Sequence, residues 1–232
     1  RDLHRLIRRQ RQMCIRDSTY TEPTIFFEYA IEIMKLAKKA KLYNVWVSNG
    51  YTGSEAVKEA SKYLDAINID LKGDNNFYKK ICSVPDSKPI FRNLKAYKKA
   101  GVWIETTTLV IPGLNDSDKQ IKQTVDWVKR NLGPDTPMHF SRFFPYYKLS
   151  HLNPTPPETL EKAAAIAEKS GMNYVYIGNM PSGRENTYCP KCKELVIKRE
   201  GYNIEVFIDK KGRCKCGYKI PLAGMKYQLL KQ

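Results

Sequence analysis

Four short apolar runs, set roughly 20 to 40 residues apart and separated by helix-like stretches, each end in polar residues. The ends are Tyr20-Thr21-Glu22-Pro23, Val47-Ser48-Asn49-Gly50, Ile69-Asp70-Leu71-Lys72-Gly73 and Thr106-Thr107-Thr108. In a β/α barrel such strand ends converge on one mouth, the carboxyl-terminal face on which barrels of this kind build active sites. The pattern therefore predicts an α/β enzyme with a site gathered from distant positions, and an incomplete barrel, because nothing upstream of Tyr20 reads as an opening strand.

Helical and strand periodicities alternate through the chain. Pro23 suits a first helical turn ahead of Phe26, Ala30, Ile33, Met34 and Ala37. Tyr43 to Val47 reads as a strand, Ser54 as the N-cap of a helix carrying Val57, Ala60 and Leu64, and Ala66 to Leu71 as the next strand. A helix through Phe91, Leu94 and Tyr97 stops at Gly101, and Val102 to Ile111 forms a long strand closed by Pro112-Gly113. Asp116 or Ser117 caps a helix with Ile121, Val125 and Val128. Met138 to Phe143, Glu158 to Ser170 and Tyr174 to Ile177 then read as strand, helix and strand. The spacings suit right-handed parallel crossovers. An open doubly wound sheet would also satisfy them, but no GxGxxG follows any strand, so the barrel is preferred.

The first 18 residues stand apart. Arg8 to Ser18 shows no usable periodicity, and residues 1–18 read as a non-native scar with no part in the barrel, leaving 19–183 as the barrel, 184–222 as a cysteine module and 223–232 as a tail. The formal charge is +16, of which the six Arg and two Asp of residues 1–18 supply +4. The rest is mostly lysine spread over helix faces such as Lys35, Lys38 and Lys39, without the clustering that a nucleic-acid surface needs. No run of 18 apolar residues occurs, which excludes a spanning helix.

Cys189-Pro190-Lys191-Cys192 and, 21 residues on, Cys214-Lys215-Cys216-Gly217 supply two thiolate pairs. Four thiolates without a vacant position suit a closed tetrahedral zinc site at Cys189, Cys192, Cys214 and Cys216. An iron centre or a redox dithiol are the alternatives. The alternating Ile204, Val206 and Ile208 predict a strand of a small zinc-ribbon-like β module between the pairs. Without a secretory signal, paired thiols read as metal ligands in a reducing cytosol rather than as disulfides. Cys82 reads as a half-buried apolar residue, and His139 as a packed or hydrogen-bonded one rather than a base.

Taken in order, Thr19-Tyr20-Thr21-Glu22-Pro23-Thr24, Ser48-Asn49-Gly50-Tyr51, Asp70-Leu71-Lys72-Gly73, Leu109 to Asp116 and His139-Phe140-Ser141-Arg142-Phe143 resemble a radical S-adenosylmethionine (radical SAM) enzyme of the AmmeMemoRadiSam-system branch, related to the activating enzymes of pyruvate formate-lyase. The resemblance implies a partial radical SAM barrel, a [4Fe-4S] cluster, bound S-adenosylmethionine and hydrogen abstraction by a 5'-deoxyadenosyl radical, with a protein substrate and an electron donor as partners. It assigns cofactor contacts to Thr21, Glu22, Ser48, Asn49, Asp70, Lys72, Thr106, Thr108 and Arg142. Among these, Glu22 would accept from the cofactor's amino group, and Arg142 would hold a carboxylate bidentately. The family's CxxxCxxC cluster loop is absent from all 232 residues, and the second thiol pair is CxC where the family usually carries CxxC. The implied reading is a truncated, inactive piece of a cytoplasmic radical enzyme. The alternative class is a non-catalytic basic zinc-ribbon protein that binds nucleic acid or an acidic partner.

Overall fold

The computed structural model describes residues 15–18, 22–201 and 203–223. Among these residues six strands form one sheet, all parallel and in strictly sequential order: β1 (Ile15–Ser18), β2 (Tyr43–Ser48), β3 (Ala66–Asp70), β4 (Trp103–Val110), β5 (Met138–Arg142) and β6 (Val175–Gly178). Helices fill the crossovers: α1 (Phe27–Lys39), α2 (Ser54–Ala60), α3 (Asn75–Lys80), α4 (Lys88–Lys99), α5 (Asp118–Leu132) and α6 (Pro157–Lys169). A single 3-10 turn, Pro23–Phe26, precedes α1, so the helix expected at Pro23 begins one turn later.

Strand alternation sorts the side chains into two layers. In β4 every second residue is buried, and the same holds along β3. Trp46, Ile67, Ile69, Ile104, Val110 and Phe140 are buried against Met34, Val57, Leu94, Tyr97, Val125 and Leu160 of the helices. Each such side chain contributes about 1.5–3 kcal/mol of burial, and together they make the helix-facing side of the sheet its core. The opposite face carries Asn68, Trp103, Glu105, His139 and Tyr176 around a cavity of about 630 Å³.

Two sequence expectations need correction. Residues 1–18 were expected to add nothing to the barrel, yet Ile15–Ser18 pairs in parallel with Tyr43–Trp46 as an edge strand. Main-chain hydrogen bonding at the edge of β2 needs no side-chain pattern, and four residues are too few to show one. Ser54 was expected to cap α2, but Gly53 holds the N-cap position and offers no side-chain bond. Ser117 does cap α5, accepting from the Gln120 N–H.

A three-stranded antiparallel sheet follows: β7 (Thr187–Tyr188), β8 (Leu195–Glu200) and β9 (Asn203–Val206). Its core consists of Cys189, Val196, Ile197, Cys214 and Ile220, and two of those five are thiols. The connection from β6 is fastened by Arg184, whose guanidinium meets Glu161 and Glu168 of α6, each at 2.6 Å. Among the described residues no helix is long and apolar enough to cross a membrane.

Candidate functional site

The carboxyl-terminal end of the sheet collects the polar residues. Glu22 lies just ahead of the 3-10 turn and is locked to the end of β2. Ser48 Oγ donates to its Oε1 at 2.7 Å, the Asn49 N–H donates to its Oε2 at 2.7 Å, and Thr24 Oγ1 donates to Oε1 at 3.0 Å. Among the described residues the Oε2 atom accepts that one bond only, so it keeps acceptor capacity on the exposed Asn49 side. Burial, aided by the Glu22 charge, pushes the nearby Tyr97 phenol well above its usual range.

The turn beside Glu22 is fixed by Gly50, at φ +74°. A Cβ there would stand 2.8 Å from Ile69 Cγ2, so no other residue fits without displacing the core. Asn93, itself buried, donates to the Gly50 and Thr52 carbonyls at 2.9 and 2.7 Å. Asn49 in turn accepts the Tyr51 N–H on its side-chain oxygen at 2.7 Å.

Asp70 ends β3, and its carboxylate lies 3.2 Å from Lys72 Nζ, both side chains being about one-third exposed. The Tyr78 hydroxyl donates to the Asp70 carbonyl and accepts the Lys72 N–H, which ties this end to α3. Asn115 completes the clamp, donating to the Lys72 and Leu109 carbonyls at 2.6 and 2.9 Å and accepting the Ile111 N–H at 2.6 Å. Sequence reasoning passed over Asn115, Asn93 and Tyr78 because all three act on backbone atoms of other segments.

Three assignments do not hold as expected. Thr106 and Thr108 share a face, but it is the helix-facing one: both are buried, Thr108 Oγ1 donates to the Leu71 carbonyl, and Thr106 Oγ1 has no partner among the described residues. Thr107 is the residue on the opposite face, donating to Asn68 at 2.8 Å. Arg142 pairs in register with Val110, on the same helix-facing side. It donates from Nε to the Thr155 carbonyl at 2.8 Å and lies over the Phe144 ring. Thr21 lies outside the described residues.

Below this mouth the Glu105 carboxylate accepts from Trp103 Nε1 at 3.2 Å and pairs with His139 Nε2 at 2.8 Å. Burial alone would push its carboxyl up, but the bonds from His139 and Trp103 and the Arg199 charge outweigh it and hold the group below the usual range. His139 stacks on Tyr176 at 5.0 Å, and Tyr176 and Arg199 both hydrogen-bond Thr187, so the small module is docked on the inner face. This agrees with His139 as a packed, hydrogen-bonded residue.

In the module, Cys189 and Cys216 approach to 3.6 Å and Cys192 and Cys214 to 3.5 Å, and all four sulfurs lie within 4.8 Å of one another. A tetrahedral ion with bonds of about 2.3 Å spaces its sulfurs by about 3.8 Å, so this donor set fits a metal. Lys193 (φ 62°) and Gly217 (φ +81°) make the left-handed turns that bring each pair inward. The backbone N–H of Tyr218 helps lower the Cys216 thiol to about 7. The Glu194 N–H favours the Cys192 thiolate, but burial and the neighbouring sulfurs push that thiol up to about 12. Elsewhere among the described residues the only thiol is Cys82, so no three converge at the mouth and the residues present do not fit a [4Fe-4S] cluster there.

Residues 17–128 match the model of the Radical SAM superfamily. An uncharacterized protein of Methanocaldococcus jannaschii is 43% identical over 209 residues, covering 88% of this chain and 62% of that protein. The 4-hydroxyphenylacetate decarboxylase activating enzyme of Clostridium scatologenes is 27% identical over 114 residues, 47% of this chain and 36% of the enzyme. The chain thus spans less than two thirds of the length of either relative. In fold it is similar to a domain of pyruvate-formate lyase-activating enzyme from Bacteroides vulgatus, at a TM-score of 0.59 and 21% identity, covering 71% of this chain and 98% of that domain. It is also similar to SuiB of Streptococcus suis bound to S-adenosylmethionine, at 0.57 and 13%, covering 72% and 41%. Residues 17–128 are thus similar to the Radical SAM superfamily, and part of the chain is similar to an activating enzyme.

Proposed function

We propose that this chain is the S-adenosylmethionine-binding part of a radical SAM enzyme of the AmmeMemoRadiSam-system branch, acting on a polypeptide and supplied with electrons by a separate donor. The observation that carries the reading is the Glu22 carboxylate, locked by Ser48 and Asn49 with acceptor capacity left on Oε2. A fixed carboxylate is suited to an ammonium group, and such charge-assisted bonds are about twice as strong as neutral ones. When bound to a cluster, the cofactor supplies a 5'-deoxyadenosyl radical in this family. The residues here bind and orient: Glu22 takes the methionine ammonium, Asn49 and Ser48 shape the ribose side, and Asp70 with Lys72 borders the mouth. With no CxxxCxxC in the 232 residues, the chain by itself is expected to assemble no radical-generating cluster. We assign zinc to the four-cysteine site, since four thiolates close its coordination shell, and a reducing cytosol suits those free thiols.

Titration calorimetry of S-adenosylmethionine against wild type and Glu22→Gln tests the reading. The neutral amide should weaken binding about tenfold, the loss of one charge-assisted bond. 5'-Methylthioadenosine lacks the ammonium and should bind both forms alike. Equal S-adenosylmethionine affinity for the two proteins overturns the assignment.

A further inference from the structure

The connection between β5 and α6 carries a feature that the strand-end cluster does not use. Phe144, Tyr146 and Tyr147 are 53%, 85% and 76% exposed, three large rings in four residues at the carboxyl-terminal end of the barrel. They are held out by a fixed base. Thr155 Oγ1 donates to the Val110 carbonyl at 2.6 Å and accepts the Phe143 N–H at 3.0 Å. Phe143 itself is buried in a cluster with Phe77 and Ile111, against which the partly buried Leu149 and Leu152 pack. Tyr147 has φ 51°, a left-handed conformation that is costly for any residue with a Cβ, and its ring nonetheless stays in solvent. Exposed rings on a pinned loop lose little freedom on binding, which is why aromatic residues dominate interface hot spots and paratopes.

Charge selects the kind of partner. No Asp or Glu occurs between Asp135 and Glu158, whereas Arg142 and Lys148 flank the rings. The Arg142 guanidinium lies 5.0 Å over Phe144, and Lys148 Nζ lies 5.6 Å from the Tyr147 centroid. The chain's own cations thus occupy one face of Phe144 and one of Tyr147, which leaves fewer faces for nucleobase stacking. Among the described residues the Lys148 ammonium, the Arg142 N–H groups other than Nε, the tyrosine hydroxyls and the ring edges remain open to carboxylates and aliphatic side chains.

We propose that the Phe144–Lys148 segment is a docking platform for an acidic polypeptide with interspersed aliphatic residues. That this partner is also the substrate rests on the radical SAM reading above; the docking does not. Fluorescence anisotropy with a fluorescein-labelled decapeptide of glutamate, leucine and glycine measures it, beside a labelled oligothymidylate of equal charge. Wild type should bind the peptide more tightly than the oligonucleotide. The combined Phe144→Ala, Tyr146→Ala and Tyr147→Ala variant, whose net charge is unchanged, should bind the peptide at least tenfold more weakly with an unaltered thermal midpoint. Lys58→Gln with Lys79→Gln, which removes two remote charges, should bind like wild type.

Absence of peptide binding, equal affinity of the aromatic variant, or losses as large in the lysine variant would overturn the platform. Tighter oligonucleotide binding that is lost in the aromatic variant would overturn it in favour of nucleic acid. Neither ligand needs S-adenosylmethionine, so peptide binding without cofactor binding leaves the platform standing and counts against the radical reading alone.

Discussion

Replacing Asn115 by alanine should cost about 3 kcal/mol, because a single buried amide serves three backbone groups. It is 2% exposed, and it bonds the Lys72 carbonyl, the Leu109 carbonyl and the Ile111 N–H at 2.6, 2.9 and 2.6 Å. Each such bond nets about 1 kcal/mol, and a buried group left unpaired costs about 1–3. Water entering the vacated space satisfies some of the groups, which places the total near the lower sum. At a urea slope of about 2 kcal/mol per molar the midpoint should fall by about 1.5 M with the slope unchanged. Asn115→Asp makes the test specific. A carboxylate can still accept the Ile111 N–H, but it turns an oxygen rather than an amino group towards two carbonyls. At neutral pH it should therefore be less stable than the alanine variant, and the gap should close as acid protonates the carboxyl. An alanine variant within 1 kcal/mol of wild type, or an aspartate variant more stable than alanine at neutral pH, would refute the clamp.

Two further outcomes are expected. Cys214→Ser should abolish stoichiometric metal binding and loosen the module, whose core among the described residues has five buried side chains, while the barrel keeps its own unfolding midpoint; equal metal content in variant and wild type defeats the site. Glu105 has a folded-state value below its ordinary 4.5, so its contribution is complete above that pH and is lost as pH falls through the lowered value. Glu105→Gln should accordingly be less stable at neutral pH and should show a flatter acid limb, and an acid limb superimposable on that of wild type argues against the pairing with His139.

The sheet was legible because its strands are short, apolar and interrupted by Gly or Pro, and the cysteine module because CxxC and CxC spacing carries its own geometry. The strand-end cluster was legible in part. Glu22 and Asp70 both lie at the carboxyl-terminal end of the sheet, while Thr106 and Thr108, assigned as cofactor contacts, are buried on its helix-facing side. Alternation tells which residues share a face but not which face, and β4 places threonines on both sides. A buried hydroxyl can be satisfied by one carbonyl, as Thr108 is by Leu71. The edge strand Ile15–Ser18 escaped notice because backbone pairing leaves no side-chain signature in four residues. The platform was readable only as polar-aromatic loop sequence, since exposure depends on what Thr155 and Phe143 anchor beneath it.

The strictly sequential order of the strands has a meaning in time. Each strand joins the edge left by the one before it, so no early strand must wait for a partner made at the far end of the chain. On the ribosome, every newly emerged strand finds its neighbour within a few tens of residues, which keeps loop closures short and exposed edges brief. The four thiols emerge after β6, when the wall that receives Thr187 and Arg199 is already laid. A metal taken up by the four thiols would then be captured against a surface that is already in place.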